Sequence, residues 1–181
     1  MKILSSILIE ELKSFTQTHL EKAEEWKNLS LEILQKRPNE MAWNALECLE
    51  HLNYYGDFYI SEIKRVMENS HLKNQEYFYS GILGNYFAKM MLPKEKGGKM
   101  NTFKEMNPFE KNLDKSVIDK FIKQQKELLD LLKLAESKNL TKIKTRISIS
   151  KWIKLRLGDT FRVVIYHNFR HIKQAEKAIL S

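Results

Sequence analysis

The sequence predicts an all-α protein: a four-helix bundle, up-down-down-up, with a long crossover between the second and third helices. Three observations predict it. Breakers are scarce, with 6 Gly and 3 Pro in 181 residues, so long helices run uninterrupted. Four long stretches repeat apolar residues at steps of three and four, the period of a helix with a buried face. The links between them are short, long and medium. A short link makes antiparallel neighbours, and the long one lets the second and third helices run parallel. The length suits one domain, residues 1–181, with one sizeable core.

The first helix carries Leu4, Leu8, Leu12, Phe15, Ala23 and Trp26 at helical steps, and His19 falls on the same stripe. A turn-rich piece, "NLSLEILQKRPNEMAWN", follows with Pro38 as its breaker. The second helix begins inside "WNALECLEHLNYYGDFYISEIKRVM". Asn44 is a good N-cap and Glu47 stands three residues later, which is a capping box. Trp43 can pack on Cys48 as a hydrophobic staple. Leu46, Leu49, Leu52, Tyr55, Phe58 and Tyr59 occupy several faces, so this helix is expected to be buried on more than one side.

Residues from about 69 to 113 read as irregular. They hold a short apolar helix near 82–91, within "YFYSGILGNYFAKMMLP", and a polar loop with Gly97 and Gly98. A connection this long is usually functional or a crossover. The third helix runs from about Ser116 to Ser137, with Ser116 and Asp119 approximating a cap and Val117, Phe121, Leu128, Leu132 and Ala135 as its stripe. The linker "NLTKIKTRISISKWIKLRLG" holds seven Lys or Arg between Ser137 and Gly158 and no acid. Asp159 is expected to cap the fourth helix.

The net charge of +8 allows an anionic partner, although a solvated lysine-rich surface has the same sum. With Cys48 as the single cysteine, no intramolecular disulfide can form, which fits a reducing compartment. The apolar run in "MKILSSILIEELKSF" ends at Glu10 and Glu11, so a signal peptide is not expected. No stretch approaches the ~20 apolar residues of a membrane span. The expected location is the cytoplasm.

The chemistry lies in the histidines. Of five, His167 and His171 stand four apart in the fourth helix. Four residues turn ~400° and rise ~6 Å, so both rings leave one face, one turn apart. Packing and chelation both produce that spacing. A zincin reading fails, because Asn168, Phe169 and Arg170 separate the pair and no glutamate serves as base. A ferritin-type di-iron reading fails too. It needs two Glu-x-x-His motifs, and only Glu68 to His71 has that spacing. The candidate third ligand is His51, in "LECLEHLNYY", one turn beyond Glu47 and one turn before Tyr55.

The segments "WNALECLEHLNYY" and "LGDTFRVVIYHNFRHIKQAEKAIL" resemble the two signatures of the DinB-like superfamily. The first has a Trp, a capping residue, then Glu and a His-Leu pair. The second has Leu-Gly-Asp, His-x-x-x-His and a Gln-x-Glu near its end. "YSGILGNYFAKMMLP" and "ISISKWIKLRLGD" resemble a bacterial branch of the same group. One departure is Asn44 where serine is commoner, and Asn caps as well. The resemblance covers nearly the whole chain and implies an up-down-down-up bundle, a homodimer, and one divalent metal ion held by His51, His167 and His171.

Three neutral imidazoles leave a dication at least one open position, the mark of a catalytic rather than a structural site. Zn, Ni, Fe or Mn are the candidate ions. Each ligating ring needs a partner for its second nitrogen. Asn168 and Glu47 are candidates, although the capping box already employs Glu47. Tyr55 is a pocket candidate, and His19 is either close behind the ligands or simply a buried polar group. Cys48 lacks a basic neighbour to activate it, Arg170 is expected to face outward, and His71 reads as a surface loop residue. Some relatives in the superfamily are thiol transferases and others resemble metal-dependent hydrolases. The leading expectation is a metal-dependent enzyme of the thiol-transferase kind, acting on a small-molecule substrate such as a thiol. The aromatics of segment 77–93 would cover its pocket. The alternative is a binding module for an anionic partner or nucleic acid, through the basic linker 138–156 and its Trp152. A solvated loop is the commoner meaning of such a linker.

Overall fold

The computed structural model describes residues 1–93 and 102–181. The expected polar loop with Gly97 and Gly98 lies outside the described residues. The chain is mostly helical. Four long helices, α1 (Ser5–Trp26), α3 (Ala45–Glu68), α5 (Ser116–Ala135) and α6 (Leu157–Ile179), accompany the short α2 (Leu31–Leu34) and α4 (Ile82–Met91). A 3₁₀ turn spans Lys104–Met106.

Local chemistry explains where α3 starts. The Asn44 side chain accepts from the Glu47 amide at 2.9 Å, and Glu47 accepts from the Asn44 amide at 2.9 Å. Both halves of the capping box are made. The other two expected caps are different. The amide of Ser116 donates to Asp114 at 2.9 Å, so Asp114 satisfies the start of α5, which also stops two residues short of Ser137. Helix α6 begins at Leu157, with Arg156 in extended backbone before it. Asp159 is therefore inside the first turn and fully buried, and its carboxylate turns away to the Ser80–Gly81 turn that precedes α4. There it accepts from the Gly81 amide at 2.8 Å, from the Ser80 hydroxyl and from Arg162 at 3.1 Å.

Strands are the main departure from an all-α expectation. β1 (Lys2–Leu4) pairs antiparallel with β2 (Tyr77–Tyr79), Ile3 opposite Phe78. The basic linker folds into a hairpin, β3 (Lys144–Ile147) with β4 (Ser150–Arg156), and a register shift falls at Arg146/Ile147. In β3, Thr145 and Ile147 are buried while Lys144 and Arg146 are exposed. This is strand alternation with its charges on the wet face. Strand β4 runs straight into α6. Gly158 is needed at that junction, because a Cβ there would lie 2.6 Å from the ring of the fully buried Phe78.

Cross-helix contacts set the packing. Lys13 pairs with Glu136 and Lys27 with Asp119, so α1 and α5 run in opposite senses. Asn53 donates to the Val117 carbonyl and Lys120 pairs with Asp57, so α3 and α5 run in the same sense. His51 packs on His171 and Tyr55 on His167, so α3 and α6 oppose each other. Tyr166 donates to Glu11 and Lys22 pairs with Glu176, so α1 and α6 agree.

The buried side chains divide into two clusters. One gathers Leu12, Ile63, Phe78, Leu132 and Phe161. The other gathers Trp26, Leu46, Leu49, Phe121 and Ile172. On α6 the first cluster takes residues up to Tyr166 and the second resumes at Ile172. His167 and His171 fall in the gap.

Candidate metal centre

Helices α3 and α6 overlap along their axes by the amount needed for His51 to meet both α6 histidines. Ring centroids lie 5.1 Å apart for His51 and His167, 4.7 Å for His51 and His171, and 4.7 Å for His167 and His171. One nitrogen from each ring can be chosen so that no two are more than 4.8 Å apart. The Nε2 atoms of His51 and His167 stand at 3.3 Å. Ligands of one tetrahedral ion, each at about 2.1 Å, lie about 3.4 Å from one another.

The tautomers follow from the partners. His51 Nδ1 is 2.7 Å from the carbonyl oxygen of Met106. A carbonyl only accepts, so Nδ1 carries the proton and Nε2 keeps its lone pair. His171 Nδ1 is 2.9 Å from Gln174 Oε1, which fixes the same tautomer. Both orienting bonds are of the kind that aims a metal-binding imidazole. Neither uses the expected residues. Asn168 donates instead to Gln125 at 3.1 Å, deep between α5 and α6. Glu47 accepts two bonds from Arg37, at 2.7 and 2.8 Å, and one from the amide of Glu110 at 2.6 Å. Glu47 thereby fastens the 102–110 segment one turn from His51, and the same segment supplies the Met106 carbonyl.

Electrostatics keeps the cluster neutral. Burial lowers His51 to about 4, partly opposed by the Met106 hydrogen bond. Burial, then the neighbouring His51, lowers His171 to about 3. His167 is driven well below the usual histidine range by burial first and by the other two imidazoles next. Each neutral imidazole therefore keeps one unprotonated nitrogen at neutral pH. The donor set fits a borderline divalent ion, for which imidazole is a common ligand.

A cavity of about 730 Å³ opens beside the three rings. Trp43 forms one wall, its ring 4.8 Å from His51 and 5.7 Å from His171. The staple on Cys48 expected of Trp43 is thus secondary to a place at the site. Cys48 itself is fully buried, its thiol pushed up by burial and then by Glu47. Tyr55 stands edge-on to His51 and His167 at 5.0 and 4.9 Å. Burial, then Tyr59, raises its phenol. From segment 77–93, Phe87, Met90 and Met91 line the cavity, whereas Phe78 is core and Tyr86 is exposed. Ile147, Ser148 and Ile149 of the hairpin line it too. Arg170 also lines it, contrary to the outward orientation expected, and its guanidinium donates to the Met90 carbonyl at 3.4 Å.

His19 is elsewhere. It is fully buried beside Phe15 and Phe169, with both nitrogens unpartnered among the described residues. Burial lowers it to about 3. His71 is exposed, as expected. Trp43, Met106 and Gln174 join the site beyond the residues named from sequence. Trp43 and Gln174 stand in the two signature segments, Gln174 three residues beyond His171, whereas nothing in the sequence marks Met106.

A mostly helical fold with three imidazoles converging from two of its helices defines a class of candidate metal-binding proteins. The family model of the DinB superfamily matches residues 15–175, and the chain belongs to that superfamily. No curated protein and no solved structure matches this chain.

Proposed function

We propose that this chain is a divalent-metal-dependent enzyme with His51, His167 and His171 as the metal ligands, most akin in chemistry to a thiol transferase. The helix senses found above support an up-down-down-up bundle with its crossover between α3 and α5 as part of this reading. The observation that carries the reading is the convergence of three neutral imidazoles, two with their Nδ1 protons committed, on the floor of a 730 Å³ cavity. A metal bound there would supply a Lewis acid that lowers the pKa of a bound thiol or water.

The protein's own part is orientation and exclusion. Met106 and Gln174 hold two rings in the donor tautomer. Trp43 and Tyr55 flank His51 and keep bulk water from it. Neither residue has to move a proton for this. A homodimer and a cytoplasmic setting belong to the same proposal. Among the described residues no helix is long and apolar enough to cross a membrane.

The test is elemental analysis of protein purified without chelator, then titration with Zn, Ni, Fe and Mn and a thiol-conjugation assay on the loaded form. One ion per chain and metal-dependent conjugation are expected. Failure to retain or take up any of the four ions would sink the reading.

One observation favours a second reading. Trp152 is 94% exposed on the basic hairpin, where it touches no core. A salt-sensitive affinity for single-stranded nucleic acid would support a binding module. Arg146, however, is already committed to Glu62 at 2.9 Å.

A further inference from the structure

The lining of the cavity is informative about what enters it. Its volume, about 730 Å³, is in the range of small-molecule sites, ~300–1,000 Å³. Most of its wall is aromatic, aliphatic or thioether, and three methionines, Met41, Met90 and Met91, make that wall adaptable to shape. No aspartate or glutamate is among the described lining residues. Against this described wall a cation would lose its hydration without gaining a counter-charge.

The polar groups of the wall are mostly spent inside the protein. Asn39 accepts from the Met41 amide and Asn107 from the Phe109 amide. Asn168 bonds Gln125, and Gln174 bonds His171. The Tyr59 hydroxyl accepts from the Ser148 amide. Among the described lining residues, the hydroxyls of Tyr55 and Thr102 and the indole N–H of Trp43 have no bond of this kind. Tyr55 is also the one whose ring touches both His51 and His167. Polar recognition is thus concentrated at one corner, where the three imidazoles and the Tyr55 hydroxyl meet. Apart from the Arg170 guanidinium, which donates to the Met90 carbonyl at 3.4 Å, the rest of the space is mostly apolar.

We infer that the substrate taken up here is a one-headed amphiphile: an aryl or alkyl body seated against Phe87, Met91 and Ile147, and a single uncharged or anionic head at the His51–His167–Tyr55 corner. The inference rests on the metal-enzyme reading for the head and on the wall alone for the body. A polar thiol peptide has the wrong body for this wall, and an alkylammonium has the wrong head.

Isothermal titration of zinc-loaded protein with two hydroxamates of the same head tests it. Octanohydroxamate is expected to bind at least about 100-fold more tightly than acetohydroxamate, since each buried methylene adds a factor of about 3 to 4. Glutathione and octyltrimethylammonium are expected to bind more weakly than octanohydroxamate. Met91→Glu, which places a charge in the apolar wall, should cut the octano/aceto ratio to under about 10 at unchanged zinc content. Tyr55→Phe should weaken both hydroxamates by a similar factor and leave the ratio intact. If Met91→Glu fails to fold, Met91→Gln serves with the same expected direction. Equal affinity for the two hydroxamates, or glutathione binding more tightly than octanohydroxamate, overturns the inference.

Chelator-treated protein separates the two readings. There, displacement of 1-anilinonaphthalene-8-sulfonate by straight-chain alcohols should strengthen from butanol to octanol. Chain-length dependence without zinc uptake would remove the metal reading and keep the apolar body. Zinc uptake without chain-length dependence in either experiment would do the reverse.

Discussion

His51 and Met106 are joined by a hydrogen bond of 2.7 Å between the imidazole Nδ1 and a backbone carbonyl fifty-five residues away. That bond decides which nitrogen of His51 is left to accept a proton or a metal. Glu47, one turn earlier on α3, anchors the same segment through the Glu110 amide. One helix thus grips a loop at two points, and the loop orients the helix's own histidine.

Removing a ligand should remove the metal. His51→Ala, His167→Ala and His171→Ala are each expected to lower bound zinc from about one ion per chain toward zero. In the intact protein, saturating zinc at about 100 times its Kd should stabilise the fold by about 2.7 kcal/mol. Chelation should lower Tm accordingly. Inductively coupled plasma analysis and thermal melts read both. Unchanged metal content in all three variants would refute the ligand assignment.

Gln174 should tune the site without composing it. Gln174→Ala frees the His171 ring to turn and is expected to weaken zinc about 10- to 100-fold, the usual cost of losing an orienting partner. The metal-free Tm should hardly move, because Gln174 faces the cavity. Competition with a colorimetric chelator would measure the shift. A large loss of apo stability with unchanged affinity would assign Gln174 a structural role instead.

His19 should penalise the fold in acid. Its folded pKa is lowered to about 3 by burial, whereas in the unfolded chain it titrates near ~6.5. Between those values the unfolded state binds the extra proton. Stability is therefore full above pH ~6.5 and falls as pH drops toward about 3. At pH 5 this one group costs about 2 kcal/mol. His19→Leu keeps the volume, removes the unpartnered nitrogens and should flatten the pH dependence by that amount, while also gaining about 1 kcal/mol at pH 7. Urea melts of metal-free protein at both pH values check it. An unchanged slope against pH would mean that His19 finds a proton acceptor.

Asp159 should be a structural keystone. It is fully buried and pairs with Arg162, which is 4% exposed, while holding the Ser80–Gly81 turn onto α6. Asp159→Ala leaves the guanidinium buried and unpaired, with an expected loss of about 3–5 kcal/mol. A loss under about 1 kcal/mol by equilibrium denaturation would show that the junction relaxes.

Acid should act on the fold before it acts on the metal site. Burial lowers His51 to about 4 and His171 to about 3, so in the folded protein protons compete for these nitrogens only as pH falls to that region. Competition is thereby moved below ~6.5, the free imidazole value. Zinc affinity measured by competition from pH 7 to pH 5 should reflect loss of the fold, not titration of the site. A smooth tenfold loss per pH unit in fully folded protein would contradict this.

Much of this molecule was legible in its sequence, and the legible parts are those set by near neighbours. The capping box needs only Asn44 and Glu47, three residues apart. The shared face of His167 and His171 needs only helical pitch. Long amphipathic stripes mark α1, α3, α5 and α6 for the same reason. Strand β3 was readable in principle from Thr145 and Ile147, but its lysines and arginines outweighed the alternation and it passed for a solvated linker. Asp159 passed for a cap because the strand-to-helix junction, set by Gly158 against Phe78, starts α6 earlier than periodicity suggests.

What the tertiary structure alone decided is everything that depends on loops meeting helices. Sequence spacing named His51 as a partner for His167 and His171, but only the axial overlap of two opposed helices brings the rings to within 5.1 Å. Met106, Trp43 and Arg37 reach the site or its supports from irregular segments, whose course no periodicity encodes. Short-range physics, repeated every turn, is written in the order of residues. Long-range contacts are chosen by packing, and packing requires the whole chain.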